Sequence, residues 1–256
     1  MSAGIEAIAR DAGHRALQLF HGRGDLDIET KGPLDLVSRA DRELEVMIAD
    51  RLHRLHPDDG ILGEEGQSVP SRSGRTWVLD PIDGTFNFVR GGAEWGISIG
   101  LHDASGPIYG VVNLAVLGQL FAGGVKQPAH LNGSPLPALT AFDKRRASLS
   151  VGLVPEMPLD GTLDAIGFVL GEAGFALRAC GSCVAGMMEM ARSETDVYLG
   201  LAEHCWDVMA ALPILKSLGA SCTLDWSHLS LNDSLFFATG KPDAVERLRP
   251  LVERQR

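Results

Sequence analysis

Asp80 and Asp83 stand three residues apart in Trp77-Val78-Leu79-Asp80-Pro81-Ile82-Asp83-Gly84-Thr85, an acidic turn that follows a short apolar run. Two carboxylates on a turn that caps a strand can both point at one hard cation. Gly84 lets the backbone come close to a ligand, and the N–H groups after it can then face an anion. A cation site and an anion site in a single turn suggest phosphate chemistry. The plainer reading of the same stretch is a turn dipeptide with solvated carboxylates. Glu64, after Ile61-Leu62-Gly63, and Asp207, in His204-Cys205-Trp206-Asp207-Val208-Met209-Ala210-Ala211, also stand where strands end or helices begin, which is where a rigid scaffold displays ligands. Taken singly, Glu64 reads as a solvated loop charge and Asp207 as a helix cap. Taken together, Glu64, Asp80, Asp83 and Asp207 are an all-oxygen set with no paired His or Cys at metal spacing beside them, which suits Mg2+ rather than Zn2+. Thr85 adds a hydroxyl at the end of the turn. The chemistry most consistent with this set is metal-assisted hydrolysis of a phosphate monoester.

Other chemistries lack their residues. There is no G-x-S-x-G elbow, and Ser182 lies in Gly-Ser-Cys with no readable base. Neither G-x-x-x-x-G-K-[ST] nor a well-placed G-x-G-x-x-G is present. The formal net charge is -10, with 33 acidic against 23 basic residues, so nucleic acid is not expected as a partner. Bound metal ions would reverse the sign locally for a phosphate ester. The N-terminal residues, with Glu6 and Asp11, form no apolar signal segment, and no run is long enough to span a bilayer. A cytoplasmic protein with no membrane partner is the expectation. The four cysteines, Cys180, Cys183, Cys205 and Cys222, are too few for a disulfide framework; Cys180 and Cys183 make a lone C-x-x-C, for which buried free thiols are favoured over a zinc or redox role.

The elements that must position these residues follow from periodicity. Ile5, Ile8, Ala12, Ala16, Leu17 and Phe20 predict an amphipathic helix ending near Gly22. Residues 28–38 read as a Gly-Pro loop leading into a short extended piece. A second helix is expected from Ala40 or Asp41 to Leu55, so Asp41 on its own reads as a helix-start carboxylate facing the dipole. Ile61–Gly63 is a short strand, residues 67–75 a mobile loop, and Trp77–Leu79 a buried strand. Trp95–Leu101, Ile108–Leu117 and Gln119–Gly123 read as consecutive antiparallel strands, and Leu131–Leu136 as a plain turn. From Ser148 onward strands alternate with helices. Strands are expected at Ser148–Leu153, Phe175–Cys180, Val197–Leu201, near Cys222 and at Phe236–Thr239. The helices between and after them fall at Leu163–Ala173, Cys183–Arg192, Trp206–Leu218 and Asp243–Val252. With 45% hydrophobic residues over 256 positions, the chain can bury one large core. The expectation is a layered α/β or α+β architecture of two sheets with helices between and outside them.

These motifs together resemble those of the inositol monophosphatase family. Trp77-Val78-Leu79-Asp80-Pro81-Ile82-Asp83-Gly84-Thr85-Phe86-Asn87-Phe88 looks like its first signature, and Trp206-Asp207-Val208-Met209-Ala210-Ala211 its second. Gly63-Glu64-Glu65 matches its G-E-E, and Asp35-Leu36-Val37-Ser38-Arg39-Ala40-Asp41 its D-x-V-[ST]-x-x-D. The resemblance implies an α+β fold, an αβαβα layered sandwich spanning residues 1–256 as a single catalytic domain. Its N-terminal half would cover about 1–145 and its C-terminal half about 146–256, and the family is usually homodimeric. It further implies that Glu64, Asp80 and the Ile82 carbonyl hold one Mg2+, that Asp80, Asp83 and Asp207 hold a second, and that Glu64 helps to place a weaker third. Gly84 and Thr85 N–H groups would grip phosphate, and Asp41 with the Thr85 hydroxyl would orient the attacking water. Asp83, Gly181, Ser182, Cys183 and Asp207 would touch the substrate, a small phosphorylated alcohol or sugar.

The departures lie on the specificity side. In inositol monophosphatases a glutamate seven residues before the second-signature aspartate bonds inositol hydroxyls; here that position is Gly200, and Glu203 can substitute only if the backbone shifts. Cys183 replaces a small Ala in the family's G-[ST]-A. Pro213 inside the second-signature helix predicts a kink. Inositol 1-phosphate is the first expectation for the substrate. Histidinol phosphate, a sugar phosphate or fructose 1,6-bisphosphate are the alternatives, and a catalytically weak regulatory member is a third reading. Asp83-Gly84-Thr85-Phe86-Asn87-Phe88 disfavours the nucleotide-bisphosphate branch, which shows D-G-T-K-E-F.

Overall fold

Helix α1 (Ser2–His21) lays Ile5, Ile8, Ala12, Ala16 and Phe20 along one buried face. In the computed structural model, which describes residues 2–22, 28–32, 35–154 and 157–255, a hairpin of β1 (Ile28–Gly32) and β2 (Asp35–Ser38) follows; Pro33 and Leu34 of the expected loop lie outside the described residues. Then come α2 (Arg39–Leu55), β3 (Gly60–Gly63), β4 (Ser68–Val69), β5 (Thr76–Asp83), α3 (Thr85–Arg90), β6 (Gly96–Asp103), β7 (Gly106–Leu114), β8 (Gln119–Gly124), β9 (Gln127–Leu131) and β10 (Ser134–Pro135). The rest of the chain contributes β11 (Ser148–Gly152), α4 (Leu159–Gly167), β12 (Ala176–Arg178), α5 (Cys183–Ala191), β13 (Val197–Glu203), α6 (Cys205–Val208), α7 (Ala211–Ser217), β14 (Ser221–Cys222), β15 (Leu235–Gly240) and α8 (Pro242–Arg254).

Strands β3 to β10 form one sheet in the order β10-β9-β8-β7-β6-β5-β3-β4, and β11 to β15 a second in the order β12-β11-β13-β15-β14. Alternation along the strands divides the core into layers. Val111 faces α1 and α2 together with Ile97 and Ile99, whereas its neighbour Val112 faces the middle helices α5 and α7. In the second sheet Tyr198 points to those same middle helices and Leu199 to α4 and α8. The result is the expected αβαβα sandwich. Among the described residues no helix is long and apolar enough to cross a membrane.

Several elements differ from their predicted form. The expected helix Trp206–Leu218 is split into α6 and α7 at Met209–Ala210. Pro213 thereby falls in the first turn of α7, where its missing N–H has no helical partner to lose. The split also rests on Gly100 and Gly110, cross-strand partners of β6 and β7. A Cβ on Gly100 would lie 2.5 Å from the Met209 carbonyl carbon, and one on Gly110 would overlap the Ala210 backbone. Two absent side chains let the α6–α7 junction sit directly on the sheet. The polar stretch 67–75 contains β4, which pairs with β3, and its end is held where Ser73 Oγ and the Arg75 guanidinium donate to buried Asp59. Helix α4 begins four residues before the expected start and passes into a π-helical turn at Phe168–Glu172. Strand β9 was not foreseen, because Gln127-Pro128-Ala129-His130-Leu131 lacks β-branched residues.

Candidate active site

The end of β5 carries the acidic turn into the interior. Regular pairing of β5 with β6 shifts between Asp80 and Asp83, where Pro81 has no N–H to give the ladder. Asp80 is 1% exposed and accepts a hydrogen bond from Ile82 N at 3.0 Å. Asp83 reaches across to the start of α5, accepting from Ser182 Oγ at 2.7 Å, Cys183 N at 3.1 Å and Val184 N at 2.5 Å. One carboxylate thus fastens the first sheet to the middle helical layer and satisfies N–H groups that a helix start leaves open. Asp207 lies in the first turn of α6 and accepts from His204 N at 2.6 Å. Asp80, Asp83 and Asp207 each offer an oxygen within 4.8 Å of the other two.

Glu64 flanks this triad. Parallel pairing sets Gly63 beside Leu79, and Glu64 N donates to the Leu79 carbonyl at 3.1 Å, so Glu64 stands next to Asp80. Asp41 approaches from the other side. It is buried in the first turn of α2, with Oδ2 accepting from Ser38 N at 2.8 Å and Ser38 Oγ at 2.6 Å. Thr85 Oγ1 lies 3.0 Å from Asp41 Oδ1 and 3.0 Å from the Ile82 carbonyl. A hydroxyl has one proton and so donates to one of these acceptors at a time. Gly84 between them has φ 91°, and a Cβ there would lie 2.9 Å from Ser182 Cβ and 3.0 Å from the Glu94 carbonyl oxygen. No side chain fits.

Gly181, Ser182 and Cys183 complete the wall beside Asp83. Ser182 caps α5 by accepting from Ala185 N at 3.2 Å while donating to Asp83. Asn87 Nδ2 ties the turn to α3, donating to the Cys180 carbonyl at 2.7 Å and the Glu94 carbonyl at 2.6 Å. The Cys183 Sγ lies 3.7 Å from Met187 Sδ, and burial followed by the charges of Glu203, Asp83 and Asp207 pushes its thiol well above the usual range. It is a packing group rather than a nucleophile.

Burial and mutual repulsion set the electrostatics of the cluster. Burial, then the charges of Glu64, Asp83, Asp207 and Asp41, push the Asp80 carboxyl well above its ordinary value. Burial, then Glu203, Asp83 and Glu64, do the same to Asp207, opposed by the His204 N–H. Asp83 and Asp41 are raised by burial, against the donors of Ser182, Val184 and Cys183 in one case and of Ser38 and Thr85 in the other. The donors are hard oxygens on three separate elements, and a divalent cation among them would offset the repulsion that burial magnifies.

The residue that holds the Glu64 loop was harder to foresee. Glu45, four residues after Asp41 on the same buried face of α2, accepts from Glu65 N at 2.8 Å and Gln67 N at 2.9 Å. It holds the loop that carries Glu64. The only advance signal was an acid within the stripe Asp41, Leu44, Glu45, Ile48, since a fully buried Glu needs partners.

The model of the inositol monophosphatase family matches residues 1–254. The chain belongs to that family. It is 33% identical over 216 residues to a histidinol-phosphatase of Chlorobaculum parvum, covering 84% of this chain and 82% of that protein. It is 31% identical over 220 residues to an inositol-1-monophosphatase of Bacillus subtilis, covering 84% and 81% respectively. Among solved structures, the extragenic suppressor protein suhB of Bartonella henselae superposes with a TM-score of 0.87 at 22% identity over 97% of this chain and 96% of that one. The Thermotoga maritima IMPase gives 0.80 at 25% identity with the same coverage. Inositol monophosphatase family members are metal-dependent phosphatases of small phosphorylated substrates, and this chain is accordingly a phosphoric monoester hydrolase.

Proposed function

We propose that this enzyme is a Mg2+-dependent phosphomonoesterase of a small phosphorylated alcohol, with inositol 1-phosphate as the first substrate to test. The observation that carries this reading is the convergence within 4.8 Å of Asp80 and Asp83, from the end of β5, and Asp207, from the first turn of α6. Glu64, Asp80 and the Ile82 carbonyl would hold one Mg2+, and Asp80, Asp83 and Asp207 a second, with Glu64 able to help hold a weaker third. Mg2+ in such a site lowers the pKa of water and neutralises charge on the leaving oxygen. Asp41 Oδ1 accepts a hydrogen bond from the Thr85 hydroxyl, which turns the Thr85 lone pairs outward to orient the attacking water for in-line approach. Gly84 and Thr85 N–H groups bind the phosphate oxygens, and Gly181, Ser182 and Cys183 border the alcohol. On the same reading the chain is one catalytic domain acting as a cytoplasmic homodimer.

Phosphate release from inositol 1-phosphate, histidinol phosphate, a sugar phosphate and fructose 1,6-bisphosphate, with Mg2+ and with EDTA, tests the proposal. Release that requires Mg2+ and is lost in Asp80→Asn is expected. Near-normal Mg2+-dependent turnover by Asp80→Asn overturns the ligand assignment, and flat inactivity across the panel favours a regulatory member.

A further inference from the structure

The turn Asp83–Thr85 is bordered by backbone oxygens as well as by donors. A Cβ on Gly84 would lie 3.0 Å from the carbonyl oxygen of Glu94 and 3.2 Å from that of Gly181, so both carbonyls line the stretch whose N–H groups would hold phosphate. A carbonyl oxygen is the negative end of a peptide dipole. Left bare, these two would oppose the anion that the N–H groups of Gly84 and Thr85 attract.

Asn87 faces them. Its Nδ2 donates to the Glu94 carbonyl at 2.6 Å and the Cys180 carbonyl at 2.7 Å, with the Gly181 carbonyl as a third acceptor at 3.3 Å. Three carbonyls around one group admit the amide nitrogen and not the amide oxygen, and its two protons are shared among them. Gly181, at φ 79°, lets two successive carbonyls reach the same amide, and a Cβ there would lie 3.2 Å from Nδ2. The backbone of Asn87 is fixed in turn, its own carbonyl accepting from Gly92 N at 2.8 Å. The three acceptors come from two loops, one ahead of β6 and one ahead of α5. Asp83 has separate donors in Ser182, Cys183 and Val184, so the carboxylate is held without Asn87.

We propose that Asn87 is a positioning residue for the phosphate group: by drawing the carbonyls of Glu94, Cys180 and Gly181 onto its amide, it offsets their negative ends beside Gly84 and keeps the turn an anion site. This rests on the phosphatase reading above and adds to it a residue that acts on phosphate through the backbone, touching neither metal nor ester.

The test uses Asn87→Leu, which keeps the volume of the side chain and removes its donor without adding charge. Three quantities are measured with Mg2+: KM and kcat for inositol 1-phosphate, histidinol phosphate and p-nitrophenyl phosphate, the Ki of inorganic phosphate as a competitive inhibitor, and the Mg2+-induced rise in Tm. The phosphate Ki and the KM of every ester hydrolysed are expected to rise together, about tenfold, while the Mg2+-induced rise in Tm is retained. Asn87→Ala, in which water can enter and donate in place of the amide, is expected to lose less, and it serves where Asn87→Leu does not fold. A phosphate Ki unchanged in folded variants overturns the proposal, since a merely structural role lowers Tm alone. Loss of the Mg2+-induced rise in Tm together with kcat overturns it too, because the effect would then pass through Asp83. Absence of Mg2+-dependent release from all three esters in the unsubstituted enzyme overturns the phosphatase reading itself.

Discussion

Asp80→Asn removes one charge from the most crowded point of the acidic cluster while leaving its shape unchanged. Asp80 is 1% exposed, and the backbone hydrogen bond it accepts from Ile82 N can be accepted equally by an Asn oxygen. Burial, then four neighbouring carboxylates, hold its proton affinity well above normal. Without metal near neutral pH, the folded protein must therefore either carry an unfavourable charge or take up a proton, and both cost stability. The neutral isostere removes that cost. The expected gain in EDTA is about 1–2 kcal/mol, the usual size for relieving strain at a functional site, or about 2–8 °C in Tm for a chain of this length. Saturating Mg2+ should reverse the order. At a hundredfold excess over Kd it adds about 2.7 kcal/mol to the wild type and much less to Asp80→Asn, which also loses turnover. Thermal melts of both proteins in EDTA and in Mg2+ provide the four values. A lower Tm for Asp80→Asn in EDTA would refute the reasoning, because it would mean that the protein itself, and not a cation, stabilises the charge.

Three further outcomes follow from the same geometry. Thr85→Val keeps the shape of the side chain but removes the hydroxyl between Asp41 and the Ile82 carbonyl; kcat should fall about 10²–10⁴-fold while the Mg2+-induced rise in Tm is retained. Glu45→Ala leaves the N–H groups of Glu65 and Gln67 without their acceptor, so it should cost about 1–3 kcal/mol and weaken Mg2+ binding by calorimetry through Glu64. The carboxyls of Asp41, Asp80, Asp83 and Asp207 are all raised above 3.8 by folding, so the folded chain binds more protons than the unfolded one above that pH. Their contribution in EDTA is fully present below about pH 3.8 and is lost as pH rises through the folded values; Mg2+ should flatten this slope in a series of denaturant melts.

How much of this could be read in advance differs from residue to residue for physical reasons. The stretch Asp80–Thr85 declared itself because its signal is local: a strand end, a proline, a glycine and two acids within six positions. Asp207 and Glu64 were legible for the same reason, and Asp41 acquired meaning only through its likeness to a family motif. The contacts that hold these carboxylates join residues far apart in the chain, and no periodicity encodes them. Asp83 was foreseen as a ligand, but its grip on Ser182, Cys183 and Val184 was not. The α6–α7 break depends on Gly100 and Gly110 two strands away, although Pro213 hinted at it. The extra residue in β13, Ala202, was invisible because alanine carries no preference for positive φ.

The proposed phosphate ester hydrolysis depends on divalent cations bound by Asp80, Asp83 and Asp207. The most direct test of this dependence is anomalous scattering from crystals of the metal-stripped protein soaked with Mn2+, an oxygen-seeking stand-in for Mg2+. Peaks are expected between Asp80, Asp83 and Asp207 and between Asp80, Glu64 and the Ile82 carbonyl, both lost in Asp80→Asn. Crystals that bind Mn2+ only elsewhere, while the enzyme in solution hydrolyses its ester with Mn2+, would contradict it.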